Sequence, residues 1–253
     1  MRARTEDAIG ASDEDPKPPV RPPLGCFSAR VRNRFLGRTN PHPAASMAPS
    51  RPLEVDDRST IGLSRLLPSL LCGEESASIV FDLEGRRADT AGDRTARGAL
   101  LQIADEESQH ERMLAELGAR LPIPSDLRSI RGRARRFFVR MSEPGEGVDH
   151  FARIAELDAC VCAVLEAILR APIARCHPLA ELIARIRRDE SRHVVVSRRY
   201  IASLGGGRDA VRRAESWVRP ELASVLAPVG DAFEALSIDP DALFVRILRG
   251  SRS

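Results

Sequence analysis

The hydrophobic positions of this chain recur at the spacing of one α-helical face over most of its length. The first such segment runs from about 60 to 87, and Pro68 within it predicts a kink or a division into two helices. Three further segments cover about 94–121, 148–170 and 178–204. Because no stretch of convincing length alternates as a strand would, the chain is predicted to be all-α.

The parts between and around these segments complete the predicted organisation. Residues 122–146 form a longer connection with a short helix at 127–141, and 205–253 contain two or three short amphipathic helices packed on the main body. Residues 1–50 combine a proline cluster with scattered arginines and lack periodicity, which predicts a disordered tail. Met47 is an alternative start. The main domain is expected at 59–204.

Composition and charge narrow the possible partners. Hydrophobic residues make up 43% and charged residues 30%, as in ordinary globular proteins, and aromatic residues make up only 4%. The net charge is +3, with basic and acidic residues mixed, so we expect no nucleic-acid partner. No apolar run reaches the roughly 20 residues that a bilayer requires, and no signal peptide is visible. We therefore expect a cytoplasmic protein without a membrane partner.

The five cysteines do not indicate a disulfide framework or a zinc site. Their number is odd, and no Cys-x-x-Cys pair occurs among Cys26, Cys72, Cys160, Cys162 and Cys176. We expect free thiols, with Cys160 and Cys162 serving in packing.

Two segments carry a Glu-x-x-His motif within a predicted helix. They are Glu107 with His110 and Glu190 with His193, and an acidic residue directly precedes each glutamate. Side chains three positions apart lie about 60° apart on a helix and can reach one point beside it. A carboxylate and an imidazole that meet there form two ligands of a borderline-hard cation.

Two further glutamates lie at matching distances before these motifs. Glu74 precedes Glu107 by 33 residues and Glu156 precedes Glu190 by 34. In an antiparallel helix pair, residues equally far from the turn lie side by side, so each glutamate is predicted to face its motif. Glu75 stays open as an alternative to Glu74, whereas Glu166 lies too near the end of its helix.

The order Glu74, Glu107-x-x-His110, Glu156, Glu190-x-x-His193 resembles the ferritin-like superfamily, which includes bacterioferritin, rubrerythrin and di-iron oxygenases. The resemblance covers about 60–204 and implies an antiparallel four-helix bundle that binds two iron ions, with manganese or a mixed pair permitted. It implies that Glu74, Glu156 and the two histidines are terminal ligands and that the motif glutamates bridge the metals.

The function that this resemblance implies is an oxidoreductase, an oxygenase or oxidase that uses O2 or peroxide on a small-molecule substrate. An oxygenase would need a separate electron donor, because the paired cysteines of a rubredoxin-bearing rubrerythrin are missing. Amine N-oxygenases carry a further histidine where this chain has Ile186. An iron-storage ferroxidase, a metal-free binding module and a homodimeric assembly all stay open.

Weaker candidates surround the motifs. Asp105, Asp189 and Arg192 could hydrogen-bond to the ligands or form solvated and inter-helix ion pairs. Tyr200 is expected in the core, His150 on the surface and His177 far from the metals. The competing interpretation of both motifs is that they are solvated faces of charged helices.

Overall fold

The described part of the chain is predominantly helical. A computed structural model describes residues 55–142 and 147–250, and these two ranges contain helices and no β-strand. The predicted all-α class is therefore confirmed. The tail predicted at 1–50, with Met47, lies outside the described residues.

The helix boundaries follow the predicted segments closely. The α-helices are α1 (Asp57–Thr90), α2 (Arg94–Gly118), α3 (Leu127–Met141), α4 (Gly147–Arg170), α5 (His177–Ser203), α6 (Arg208–Leu226), α7 (Gly230–Ala235) and α8 (Pro240–Arg249). Short 3-10 turns at Pro172–Arg175 and Ala227–Val229 join α4 to α5 and α6 to α7. Helix α1 continues through Pro68, so the predicted division into two helices does not occur.

Aspartates define where several helices begin. The carboxylate of Asp56 accepts a hydrogen bond from the Ser59 backbone N–H at 2.9 Å, and Asp93 accepts one from Ala96 at 2.9 Å. Each satisfies a backbone N–H that has no partner within the first turn of its helix. Gly92, with φ +78°, turns the chain between α1 and α2, a conformation that glycine adopts at little cost.

Helices α1 and α2 form an antiparallel pair. Gly118 at the end of α2 lies against Leu67 near the start of α1, while Gly85 lies against Leu101 at the other end. Between these points the hydroxyls of Ser78 and Ser108 are 2.7 Å apart. These small residues let the two helices approach closely.

Helices α4 and α5 form a second antiparallel pair. Gly147 at the start of α4 faces Leu204 just after α5, and Cys162 donates to the Arg187 carbonyl at 3.9 Å. The pairs meet through α2 and α5, where Arg185 donates to Gln109 at 3.0 Å. Helices α1 and α4 approach each other much less closely.

The C-terminal helices cover the outer faces of α1 and α4. Helix α7 packs on α1, where Gly62 lies against the Ala232 carbonyl. Helix α6 packs on α4 and also on α3, through Trp217 stacked on Phe137 with ring centroids 6.2 Å apart. In the described ranges no helix has both the length and the apolar character that crossing a bilayer requires.

Two apolar cores occupy opposite halves of the long helices. One contains Phe81, Leu100, Phe151 and Ile201, and the larger one contains Cys72, Leu114, Cys160 and Ile186 with α3 and the C-terminal helices. Helices α2, α4 and α5 pass from one core to the other where they carry acidic or histidine side chains, whereas Glu74 of α1 lies between Cys72 and Ile79 of the larger core. The cores therefore enclose a buried polar layer.

Candidate metal centre

The α1/α2 pair brings Glu74 to the first Glu-x-x-His motif. The Nδ1 of His110 lies 3.2 Å from Glu74 Oε2 and 3.6 Å from Glu107 Oε2. The side chains of all three residues are at most 6% exposed. Glu75, the open alternative, is only half-buried and lies outside this group.

The second motif reaches the same point from α5. The Nδ1 of His193 lies 2.9 Å from Glu107 Oε1 and 3.8 Å from Glu190 Oε2. The Nδ1 of His110 lies 3.9 Å from Glu190 Oε1. Each motif glutamate therefore directs one carboxylate oxygen towards His110 and the other towards His193.

This arrangement could hold a metal ion. Glu74, Glu107, His110 and Glu190 each offer one ligand atom, and these atoms lie within 4.8 Å of one another. All four residues are buried, so an ion among them would be shielded from bulk water. Five of the six predicted ligands, counting His193, thus converge.

The sixth predicted ligand, Glu156, does not reach the cluster. Its Oε1 accepts a hydrogen bond from the Arg219 Nε at 2.6 Å, on the side of α4 that faces α6. The Cys160 thiol lies 3.8 Å from the same oxygen. Equal distances from the turn predicted how far along α4 Glu156 lies, but they did not determine the direction in which its side chain points. Its predicted position beside the second motif is therefore wrong.

Asp158 is the carboxylate of α4 that lies on the side of the cluster. It is two residues further along α4 than Glu156, which rotates it about 200° around the helix. Phe81 of α1 contacts Phe151 of α4, with centroids 6.3 Å apart. Glu74 precedes Phe81 and Asp158 follows Phe151 by the same number of residues, so an antiparallel alignment predicts that the two carboxylates lie at the same level. Asp158 is 6% exposed and lines the same cavity as Glu74, Glu107 and Glu190.

The acidic residue before each motif glutamate contacts the histidine of the other motif. The Nε2 of His110 lies 3.1 Å from Asp189 Oδ2, and the Nε2 of His193 lies 2.9 Å from Glu106 Oε2. Arg192 pairs with Glu106 and lies 3.3 Å from Asp189. Of the weaker candidates, Asp189 and Arg192 are therefore part of the site.

Asp105 is exposed and does not take part in the site. Glu106, which was not among the weaker candidates, makes the contact with a motif histidine that was considered for Asp105. The sequence signal was the acidic residue directly before each motif glutamate.

Burial and mutual repulsion govern the carboxylates of the cluster. Burial, followed by the negative charge of Glu107, raises the pKa of Glu74 well above its usual range. Burial and the charge of Glu190 do the same to the pKa of Asp158, and burial with Glu107 raises the pKa of Glu190. These groups favour a state in which a cation or protons offset their charge.

The histidines and Glu107 respond in the opposite sense. Burial alone would lower the pKa of His110 and His193, but contacts with the surrounding carboxylates raise these pKa values to about 10 and about 12. Contacts with both histidines outweigh the effect of burial on Glu107 and lower its pKa to about 2. Without a metal ion the surrounding carboxylates therefore favour the protonated, cationic form of both histidines.

Several polar atoms at the centre have no hydrogen-bond partner among the described residues. They are both carboxylate oxygens of Glu107, Oδ2 of Asp158 and Nδ1 of His193. The 2.9 Å contact between His193 and Glu107 brings two of these atoms together without the alignment of a hydrogen bond. Unpartnered buried polar atoms cost free energy, and a cation placed among them would remove that cost.

The remaining predicted residues have structural positions. His150 is buried, contrary to the expected surface position, and burial with the nearby Arg87 and Arg153 lowers its pKa to about 4. His177 is exposed and lies 3.5 Å from Glu181, far from the cluster as expected. Tyr200 is partly buried and contacts Phe151 edge to face, with centroids 4.6 Å apart.

Comparison with known proteins adds no relative: no protein-family model matches this chain, and no curated protein matches it.

Proposed function

We propose that this chain is a ferritin-like protein that binds two iron ions and oxidises a small organic molecule with O2 or peroxide. The observation that carries this proposal is the convergence of both Glu-x-x-His motifs on one buried layer with Glu74. Asp158 completes a set of four carboxylates and two histidines contributed by α1, α2, α4 and α5. This set has the composition of a di-metal site in a helical bundle.

The donor atoms divide into two groups, each suited to one ion. Glu74 would accompany His110 on one ion, and Asp158 would accompany His193 on the other. Glu107 and Glu190 each face both histidines, as a carboxylate that bridges two ions requires. The unpartnered atoms of Glu107, Asp158 and His193 support the same division.

The charge of the set fits two divalent cations. Four carboxylates carry four negative charges, which two divalent ions offset when both histidines are neutral. Oxygen-rich sites with imidazole ligands suit iron and manganese, so manganese or a mixed pair stays compatible with these residues.

A bound iron pair supplies the redox chemistry by exchanging electrons with O2 or peroxide. The chain itself supplies orientation and exclusion of water. Asp189 and Glu106 accept the Nε2 protons of His110 and His193, which directs each Nδ1 lone pair at the centre. The apolar cores on both sides of the polar layer keep bulk water away.

An apolar cavity beside the carboxylates favours an enzyme over an iron store. It contacts Glu74, Glu107, Asp158 and Glu190, and its other walls are mostly hydrocarbon. A storage site needs a polar route for ions, whereas a site that oxidises an organic molecule needs room for that molecule. The oxidant would be O2, with a separate electron donor, or peroxide.

The experiment that tests the metal centre is elemental analysis of the full chain after anaerobic loading with ferrous iron. We expect about two iron ions per chain in the wild type and loss of the pair in Glu190→Ala. The matched control is Glu116→Ala, which removes an exposed glutamate from α2 and should leave the iron content unchanged.

Addition of O2 to the loaded protein then separates the two uses of iron. Rapid oxidation that stops after the bound ions, without a growing iron mineral, agrees with an oxidoreductase. Continued oxidation of added ferrous iron with mineral formation would mean storage, and no stoichiometric metal would leave the fold as a metal-free module.

A further inference from the structure

Helix α3 concentrates positive charge on one part of this chain. Its 15 residues contain six arginines and no acidic residue, and the arginines are Arg128, Arg131, Arg133, Arg135, Arg136 and Arg140. The net charge of the whole chain is only +3, so the residues outside α3 sum to −3. A charge that is concentrated in this way steers an anionic partner to one surface.

Packing holds these arginines on the outer side of the bundle. Helix α3 buries its apolar side chains, among them Ile130, Ala134 and Phe137, and it packs on α1, α4 and α6. The other side of the helix carries four exposed arginines, which we call the arginine surface: Arg128, Arg131, Arg136 and Arg140. Because α3 is anchored along its length, a partner would bind this surface without having to order its backbone.

The chain neutralises the arginine surface only in part. Arg140 donates two hydrogen bonds, each of 2.9 Å, to the carboxylate of Glu221. Arg128, Arg131 and Arg136 form no ion pair with a residue that the structure describes. Guanidinium groups bind carboxylates through two parallel hydrogen bonds, so these three arginines can take up acidic side chains of a partner.

An aromatic side chain borders the arginine surface. Trp217 of α6 is the only tryptophan of the chain, and it is half-buried. The guanidinium carbons of Arg153 and Arg140 lie 4.4 and 5.5 Å from the centroid of its ring. Tryptophan and arginine are among the residues that contribute most to the binding energy of protein–protein interfaces. The surface therefore combines a positive charge with the composition of a protein-binding site.

The charge of the remaining chain favours a small acidic protein over a nucleic acid. A nucleic acid is a long polyanion, which would extend beyond α3 to parts of the chain that are acidic on balance. An interface of usual size covers about 800 Å² on each partner, so an acidic protein can restrict its contacts to α3 and its neighbours.

Helix α3 also lies directly against the part of α1 that carries Glu74. A Cβ at Gly73, the residue before Glu74, would be 3.4 Å from the ring of Phe138. Phe138 and Glu74 line the same cavity. The thickness of one helix, about 10–12 Å, therefore separates the arginine surface from this edge of the metal centre. A protein bound there would come close to the metals without entering the bundle.

We propose that the arginine surface of α3 docks a small acidic protein that delivers electrons to the metal centre. This inference rests on the proposed function, because it identifies the separate electron donor that oxidation with O2 requires. The hydroxylation R–H + O2 + 2 H+ + 2 e− → R–OH + H2O balances when the protons come from solvent and two reduced one-electron iron–sulfur carriers supply one electron each.

The experiment uses a plant-type [2Fe–2S] ferredoxin of net negative charge as the probe. Calorimetric titration of the iron-loaded full chain should give a Kd that rises about tenfold or more when NaCl is raised from about 50 mM to about 500 mM. Stopped-flow mixing of the reduced ferredoxin with the ferric chain should show reduction of the bound iron, and the rate should fall over the same range of salt.

Charge reversal tests the location. The double variant Arg128→Glu, Arg136→Glu should raise the Kd at least about tenfold at low salt, because two attractive contacts become repulsive. The matched control is Arg188→Glu, Arg199→Glu, which makes the same change of charge at exposed positions of α5 and should alter the Kd by less than about twofold. Iron content and helix content are measured for both variants, so damage to the metal centre or the fold is seen separately.

The outcomes separate this inference from the proposed function. A Kd that ignores salt, or an unchanged Kd in Arg128→Glu, Arg136→Glu, would overturn the docking surface while a two-iron wild type kept the metal centre. Docking without reduction of the bound iron would overturn electron delivery. Salt-dependent docking on a chain that takes up no iron would retain the surface and overturn the oxidoreductase.

A DNA duplex titrated under the same conditions tests the nucleic-acid alternative. Weaker binding of the duplex than of the ferredoxin supports a protein partner. Tighter binding of the duplex, lost in Arg128→Glu, Arg136→Glu, would overturn it.

Discussion

The Nε2 of His193 lies 2.9 Å from the carboxylate of Glu106, a residue of the opposite helix pair. The contact between His110 and Asp189 repeats this relationship in the other direction, at 3.1 Å. Each motif thus supplies one histidine to the centre and one carboxylate behind the histidine of its partner. The two helix pairs are therefore coupled by charge at the level where the metals would bind.

Removing either outer carboxylate should weaken metal binding while leaving the ligands in place. We expect Glu106→Ala and Asp189→Ala each to lower iron affinity about 10- to 100-fold, because the histidine loses the group that fixes its proton and orientation. The measurement is competition with a chelator. Asp105→Ala, at an exposed neighbouring position, is the control, and an unchanged affinity in the first two variants would contradict a role for these contacts.

Asp158 and Glu156 should behave differently when each is converted to its amide. Asp158→Asn removes a charge from the buried layer and should reduce the bound iron from two ions per chain to one or none. Glu156→Gln should keep both ions and lower the free energy of unfolding by about 2 kcal/mol, since Arg219 loses a charged partner in a largely buried position.

Iron content and urea denaturation, measured for both amide variants, test these different roles of Asp158 and Glu156. The reverse pattern, with metal lost in Glu156→Gln and retained in Asp158→Asn, would restore the original ligand assignment from the sequence.

The metal-free protein should lose stability as the pH rises. The folded-state pKa values of His110 and His193 are raised to about 10 and about 12, above the usual histidine value of about 6.5. The folded state therefore holds more protons than the unfolded state above about pH 6.5, and stability falls as pH rises through this window towards 10. The pKa values of Glu74, Asp158 and Glu190 are also raised in the folded state. These carboxylates therefore also lower the stability as the pH rises, and their effect begins at a lower pH than that of the histidines.

Urea denaturation of the metal-free chain at pH 6.5 and pH 9 measures this effect. The pKa of Glu107 is lowered to about 2 in the folded state, so its contribution to stability is already complete at pH 6.5. It therefore does not change the difference in stability between pH 6.5 and pH 9. Bound iron replaces the protons, so the loaded protein should show a weaker loss. A denaturation midpoint that rises at pH 9 would contradict the imidazolium pairing.

The sequence predicted those features that depend on repeated local patterns. Helical periodicity located the long helices, and the spacing within each Glu-x-x-His motif placed both its side chains on one face, as found for Glu107 and His110. The pairing of Glu74 with the first motif followed because the turn at Gly92 is tight. Distances to that turn then translate directly into neighbours across the pair.

The errors arose where the rotation of a helix about its own axis decides the outcome. Both Glu156 and Asp158 lie near the right level of α4, but packing of α6, with Arg219, determines which of them points outwards. The buried position of His150 similarly depends on contacts between helices that are distant in sequence. A single sequence does not show which helices pack against α4, so it does not determine this rotation.

The docking of α7 on α1 should be sensitive to a single added side chain. A Cβ at Gly62 would lie 2.7 Å from the Ala232 carbonyl oxygen and 3.1 Å from the Ala235 Cβ, so the backbone of α7 would have to move. We expect Gly62→Val to lower the free energy of unfolding by about 1–3 kcal/mol. Because Gly62 lies about 18 Å from Glu74 along α1, the variant should keep its iron.

Gly98→Ala is the matched control for this effect. A Cβ at this exposed position of α2 meets no atom within 4 Å, and alanine favours a helix interior by about 0.5–1 kcal/mol over glycine. The urea concentration at the denaturation midpoint should therefore fall in Gly62→Val and rise in Gly98→Ala. If Gly62→Val were as stable as the wild type, α7 would not be held against α1 as the structure places it, and the outer wall that Phe233 gives the cavity would be in doubt.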